Sequence, residues 1–179
     1  MWEPSPGHPL RRMFAGLTEH AFIAKFGVAD PPLTDYLSTL LSRFVHLDAV
    51  HALPNGHGRP MTELVEMLME AEGLPEGGRT RRDYFQHIGD FTLFWTGVFP
   101  ESLAPQRLRG KADALINYAI QGRRSYRIAS ELSEERGDND GPVLRRISEQ
   151  FDLCAVGLRE VRREWEAQAD EFPAHGLIR

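Results

Sequence analysis

Residues 79–103, RTRRDYFQHIGDFTLFWTGVFPESL, join the densest apolar run of the chain to polar groups that are awkward to bury, and their reading decides the fold. Thr80, among three arginines, is a candidate helix N-cap, and Pro100 is a residue a helix rarely runs through. Tyr84, Ile88, Phe91, Trp95 and Val98 follow the alternating spacing of four and three that marks one helical face. Phe85, Leu93, Phe94 and Phe99 cover much of the remainder, and a helix apolar on most sides is normally buried. The segment is about 30 Å long as a helix, the length of a membrane span. Gly89 and Asp90 interrupt it, however, and Arg79, Arg81, Arg82, Asp83 and His87 crowd its first half. The expectation is therefore no membrane span but an all-α, single-domain bundle of about six helices, with a central apolar helix near residues 80–99.

Working outward, Leu10, Phe14, Leu17 and Ala21 place a first helix from Pro9 to Gly27. Asp30 followed by two prolines starts a second, whose stripe runs Leu33, Tyr36, Leu37, Leu40, Leu41, Phe44 and Val45. After a loop rich in proline and glycine, a third runs from Pro60 to Gly73. Beyond Pro100 the pattern predicts a long helix from about Arg107 to Glu135, with Ile120, Tyr126 and Ala129 turned inward. Gly122 in its middle points to a close helix crossing or a kink. A last helix is expected from Pro142 to about Ala169, where Leu144, Ile147, Phe151, Cys154, Leu158, Val161 and Trp165 keep a 3, 4 repeat. That seam either forms an interface or closes the bundle. Residues 1–8 should form a flexible arm and residues 171–179 an extended tail.

The 179 residues suffice for one domain with a real core, and a net charge of −5 with scattered arginines argues against nucleic acid as a partner. Cys154 stands alone, so no internal disulfide can form; with no secretory leader in MWEPSPGHPL, a reducing cytoplasm is the expected setting. No motif implies a cofactor. Glu-x-x-His, the di-iron bundle signature, is missing, as are phosphate-binding loops and nucleophile elbows. The acidic turn at 137–141 resembles a calcium loop only superficially, because alignment on Gly141 puts Arg136 first and Ile147 last among the ligand positions.

Asp83, His87 and Asp90, spaced i, i+4, i+7, share a helix face, where two carboxylates beside one imidazole favour the imidazolium and could hold a proton donor or a metal. The plainer alternative is a wet helix end with Asp90 paired to an arginine, such as Arg123 or Arg124 of the next helix. With Trp95, Tyr118, Arg123 and Tyr126 these residues make a candidate small-ligand site. His46, Asp48, His51 and His57 form a weaker metal candidate, since their spacing matches no zinc signature. In residues 118–130, YAIQGRRSYRIAS, paired arginines could recognise an anionic ligand or a partner's acidic surface, or simply solvate a helix face.

The segments YLSTLLSRFV (36–45), HIGDFTLFWTGVFPESL (87–103) and YAIQGRRSYRIAS (118–130) together resemble a family of uncharacterised bacterial proteins of similar length, all-helical in expectation. In that family a Gly-Asp pair heads an apolar run closing in Phe-Pro-Glu. The resemblance implies that Gly89, Asp90, Phe99, Pro100 and Glu101 are signature positions; it implies no activity. The leading functional expectation is a non-enzymatic protein that binds an unknown protein partner or its own copy, with Leu144, Ile147, Phe151, Leu158, Val161 and Trp165 as its candidate interface. The alternative is a bundle that holds a small ligand or metal around His87 and Asp90.

Overall fold

The arginine-rich start and apolar body of the deciding stretch form a single helix, and the rest of the chain wraps around it. The computed structural model describes residues 5, 7–45, 63–103 and 117–171, with side chains to residue 168. Seven helices occur among them: α1 (Pro9–Phe26), α2 (Pro31–Phe44), α3 (Leu64–Gly73), α4 (Arg79–Gly97), α5 (Tyr118–Arg136), α6 (Gly141–Glu149) and α7 (Phe151–Glu171). Pro100–Leu103 adds one 3-10 turn after α4, and no strand occurs among the described residues. The fold is an all-helical bundle, and no described helix is long and apolar enough to cross a membrane.

Local chemistry sets the helix ends. The His8 ring accepts from Leu10 N at 3.2 Å, and Asp30 Oδ1 accepts from Leu33 N at the same distance, so α1 and α2 each begin on a side-chain cap followed by proline. Gly27 and Gly137 end α1 and α5 in the left-handed region that glycine enters without penalty. Arg81 donates to the carbonyl oxygens of Ala71 and Leu74 at 3.1 and 3.0 Å, tying the C-terminal end of α3 to the start of α4.

Helix α4 is the central element: Phe85, Ile88, Phe91, Leu93 and Phe94 are all buried, as are Gly89 and Asp90 between them. It packs most extensively on α5 and also on α7 and α3, while α1 lies across α2 and α7. The α4–α5 crossing is tight at both glycines. A Cβ on Gly89 would stand 2.9 Å from the Tyr126 ring, and one on Gly122 would overlap Phe151 and Thr92. The close-crossing reading of Gly122 is thus the observed one.

Three helix boundaries differ from expectation. Glu63 is extended, so α3 starts at Leu64 rather than at Pro60. Asn117 is extended, and its side chain accepts from Ile120 N at 3.1 Å, so α5 starts at Tyr118 rather than running unbroken from residue 107. The expected last helix is two helices, broken at Gln150, with neither proline nor glycine at the break. The halves pack on different partners: α6 lies on α5 and α2, α7 on α1 and α4. One straight helix could not lie along both pairs.

The seam residues Leu144, Ile147, Phe151, Cys154, Leu158 and Val161 are buried in the chain's own core, and Trp165 packs edge-on against Phe14 at 5.3 Å. The seam closes the bundle, leaving those six buried side chains no free face for a partner, while Trp165 at its end is partly exposed. Most of the expected arm, the loop 46–62 with His46, Asp48, His51 and His57, residues 104–116, and the tail from 172 lie outside the described residues.

Candidate functional site

Asp90 is the polar centre of the bundle. Its α4 position faces α2 and α5, and its side chain is almost entirely excluded from solvent. Oδ1 accepts from the Tyr36 hydroxyl and from the Tyr126 hydroxyl, both at 2.7 Å. Oδ2 accepts from Arg43 Nη2 at 2.8 Å. Gln86, one turn before Asp90, donates to the Tyr36 oxygen at 2.9 Å, and the rings of Tyr36 and Tyr126 meet edge to face at 6.4 Å. Tyr36 and Arg43 are two helical turns apart on α2, which puts both on the face that meets α4.

The electrostatics hold each donor in its donating form. Burial raises both tyrosine hydroxyls well above their ordinary value, and the Asp90 charge raises them further. For Arg43 burial is the largest influence and acts to lower the pKa, but Asp90 together with the Tyr36 and Tyr126 hydroxyls outweighs it and the net direction is upward. The result is a carboxylate with three charge-assisted hydrogen bonds inside the protein. Such a group costs several kcal/mol to desolvate, so its partners must all be in place. On their outer side, Tyr36, Arg43 and Gln86 line a cleft of about 470 Å³ together with Arg11, Asn139 and Asp140.

The other candidates divide into separate environments. Asp83 is half-exposed and pairs with Arg79 and Arg82, away from Asp90. His87 is buried, its ring stacked on Phe44 with centroids 5.8 Å apart, and neither ring nitrogen has a hydrogen-bond partner among the described residues. Burial lowers its pKa to about 4, outweighing the opposite pull of Asp90. The imidazolium expected from two flanking carboxylates is therefore corrected to a neutral, aromatic-like ring. Trp95 packs with Phe91, Phe94 and Phe99, and Tyr118 with Phe91. Arg123 pairs with Asp152 and Arg124 with Glu72 at the surface, so neither holds Asp90. Among the seven ligand candidates, the structure brings only Asp90 and Tyr126 into direct hydrogen-bond contact.

Tyr36, Arg43 and Gln86 are the site residues that sequence reasoning did not assign. A signal existed, because Arg43 lies two turns from Tyr36 on an otherwise apolar stripe, and an arginine there needs an internal anion. The segment around Phe99 is also anchored: Arg162 of α7 donates to Val98 O at 2.6 Å, lies 4.5 Å from the Phe99 ring centroid and pairs with Glu101. Among the described residues no group of three or more His, Cys, Asp or Glu is arranged to hold a metal.

A second feature lies on the surface. Ile120, expected inside, is 55% exposed, and it lines a groove of about 330 Å³ between α5 and α6 with Arg123, Arg124, Arg127, Ser148 and one carboxylate, Glu149. Ser148 donates to Arg123 O at 2.8 Å and fixes the two helices at that point. No family model matches the chain, and neither the curated proteins nor the solved structures include a significant match.

Proposed function

We propose that the protein is a non-enzymatic binding module whose contact surface is the arginine-lined groove between α5 and α6. The observation that carries this is Ile120, a large aliphatic residue left open to solvent beside three arginines on one helix face. Interface cores are enriched in arginine, an exposed apolar side chain beside it adds area to bury, and arginines select an acidic counter-surface. Asp90 supports the reading indirectly, since its hydrogen bonds are committed to Tyr36, Tyr126 and Arg43 and serve to lock α2, α4 and α5 together.

The test is a photo-crosslinking residue placed at position 120 in the source cells. An adduct that disappears when Arg127→Glu is added supports the reading, and its mass separates a second copy from another protein. No adduct, or one indifferent to Arg127→Glu, overturns it. A second reading, a small-ligand binder, draws on the cleft that shares Tyr36, Arg43 and Gln86 with the Asp90 network. It requires a thermal shift with phosphate or a small dicarboxylate that Gln86→Ala removes; unchanged melting of the wild type with either probe eliminates it.

A further inference from the structure

Helix α3 and the residues around it are the acidic counterpart of the α5 groove. From 63 to 78 the chain carries Glu63, Glu66, Glu70, Glu72 and Glu76 and no basic residue. At its centre Met69 is 73% exposed, more than any other large hydrophobic side chain among the described residues. The acidic and basic surfaces are neighbours within one molecule, because Glu72 is ion-paired with Arg124. Met69 is three residues before Glu72 and Ile120 four before Arg124, so each apolar residue shares a helix face with its member of that pair. Met69 and Ile120 are thus exposed apolar residues within about one helical turn of either end of the Glu72–Arg124 bridge. Among the described residues Glu66, Glu70 and Arg127 take part in no ion pair.

We infer that this patch is self-complementary and that its occupant is a second copy of the chain, joined by a two-fold axis near the Glu72–Arg124 bridge. A two-fold interface requires that whatever residue i meets on the partner meets i in return. Here the axis sets Glu66 and Glu70 of each copy against Arg127 of the other, with Met69 and Ile120 packed between them. Both halves of the contact come from one surface, so the pairing closes at two and does not propagate. The inference rests on the binding-module reading above and names its partner.

The experiment uses two charge-reversed forms of the full chain, Arg127→Glu and the double variant Glu66→Arg with Glu70→Arg, examined by native mass spectrometry and light scattering. Wild type is expected to be dimeric. Each variant alone sets like charges against each other across the interface and should dissociate at least ten-fold more readily. Mixed in equal amounts, the two variants restore opposite charges at both contacts and should form a heterodimer. Glu66 and Arg127 are exposed and Glu70 is half-buried, and unchanged helical circular dichroism verifies folding; Ile120→Ser, which should also weaken the dimer, serves as the uncharged check. A monomeric wild type overturns the second-copy inference, and an Arg127-dependent adduct to another protein at position 120 would still leave the binding reading standing. Dimers that survive both reversals, or variants that stay monomeric when mixed, overturn the proposed pairing.

Discussion

Replacing Asp90 with asparagine tests whether the buried network holds the bundle together. The substitution keeps shape but puts an amide where Arg43 Nη2 and two tyrosine hydroxyls now find a carboxylate. Turned toward Arg43 the NH₂ meets a donor, turned toward the tyrosines it forces a hydroxyl to rotate and give up its own donated bond, and in both cases the guanidinium, itself mostly buried, loses its anion. Breaking a buried ion pair from one side costs about 3–5 kcal/mol. For a chain of this length that is a fall of roughly 6–20 °C in melting temperature. Urea unfolding at neutral pH, followed by circular dichroism, measures it directly. Arg43→Met alone should also be costly, because it leaves Asp90 charged and buried. The double variant should recover much of the loss, with a coupling energy above about 1.5 kcal/mol, since it removes both charges together. A cost below about 1 kcal/mol for Asp90→Asn, or strict additivity in the double variant, would refute the reasoning.

Tyr126→Phe removes one hydrogen bond to a charged acceptor and should cost about 1.5–3 kcal/mol in the same assay, with no change in helical content. Gly122→Ala pushes a methyl into Phe151 and Thr92 and should cost about 1–3 kcal/mol; a neutral result would mean that the α4–α5 crossing is looser than the structure has it. His87 titrates near 4 when folded and near 6.5 when unfolded, so the unfolded chain gains a proton first as pH falls. Its contribution is complete above about pH 6.5 and disappears toward pH 4, about 2 kcal/mol of it between pH 7 and pH 5. His87→Phe should flatten that dependence, and an unchanged pH slope in the variant argues against a buried neutral ring. Burial raises the Cys154 thiol to about 12, so alkylation at mildly alkaline pH should proceed only as fast as the chain opens. Rapid native labelling would place Cys154 outside the core.

Helix α4 and the charge pattern were legible because their signals are local. The stretch from Tyr84 to Val98 repeats at helical spacing, and Asp30 with two prolines is a start signal complete in itself. Asp90 was visible as an anomaly in that run, but its partners were not. Arg43 and Tyr36 lie 47 and 54 positions away, and many arginines were equally available to the eye. The choice of Arg123 or Arg124 failed because those side chains point outward toward Asp152 and Glu72. Likewise a heptad seam looks the same whether it meets a second copy or the chain's own α1 and α4.

The sequence by itself determined the all-helical class, most helix starts and stops, and the residues that had to be inside. Those follow from periodicity and capping within a turn or two of the chain. Only the tertiary structure decided that Asp90 is held by Tyr36, Arg43 and Tyr126, that the last helix divides at Gln150, and that Ile120 faces solvent beside a row of arginines. Each of these depends on which helices come together at what crossing. That is settled by close packing among residues far apart in the chain, where one glycine against one aromatic ring fixes how near two helices can lie.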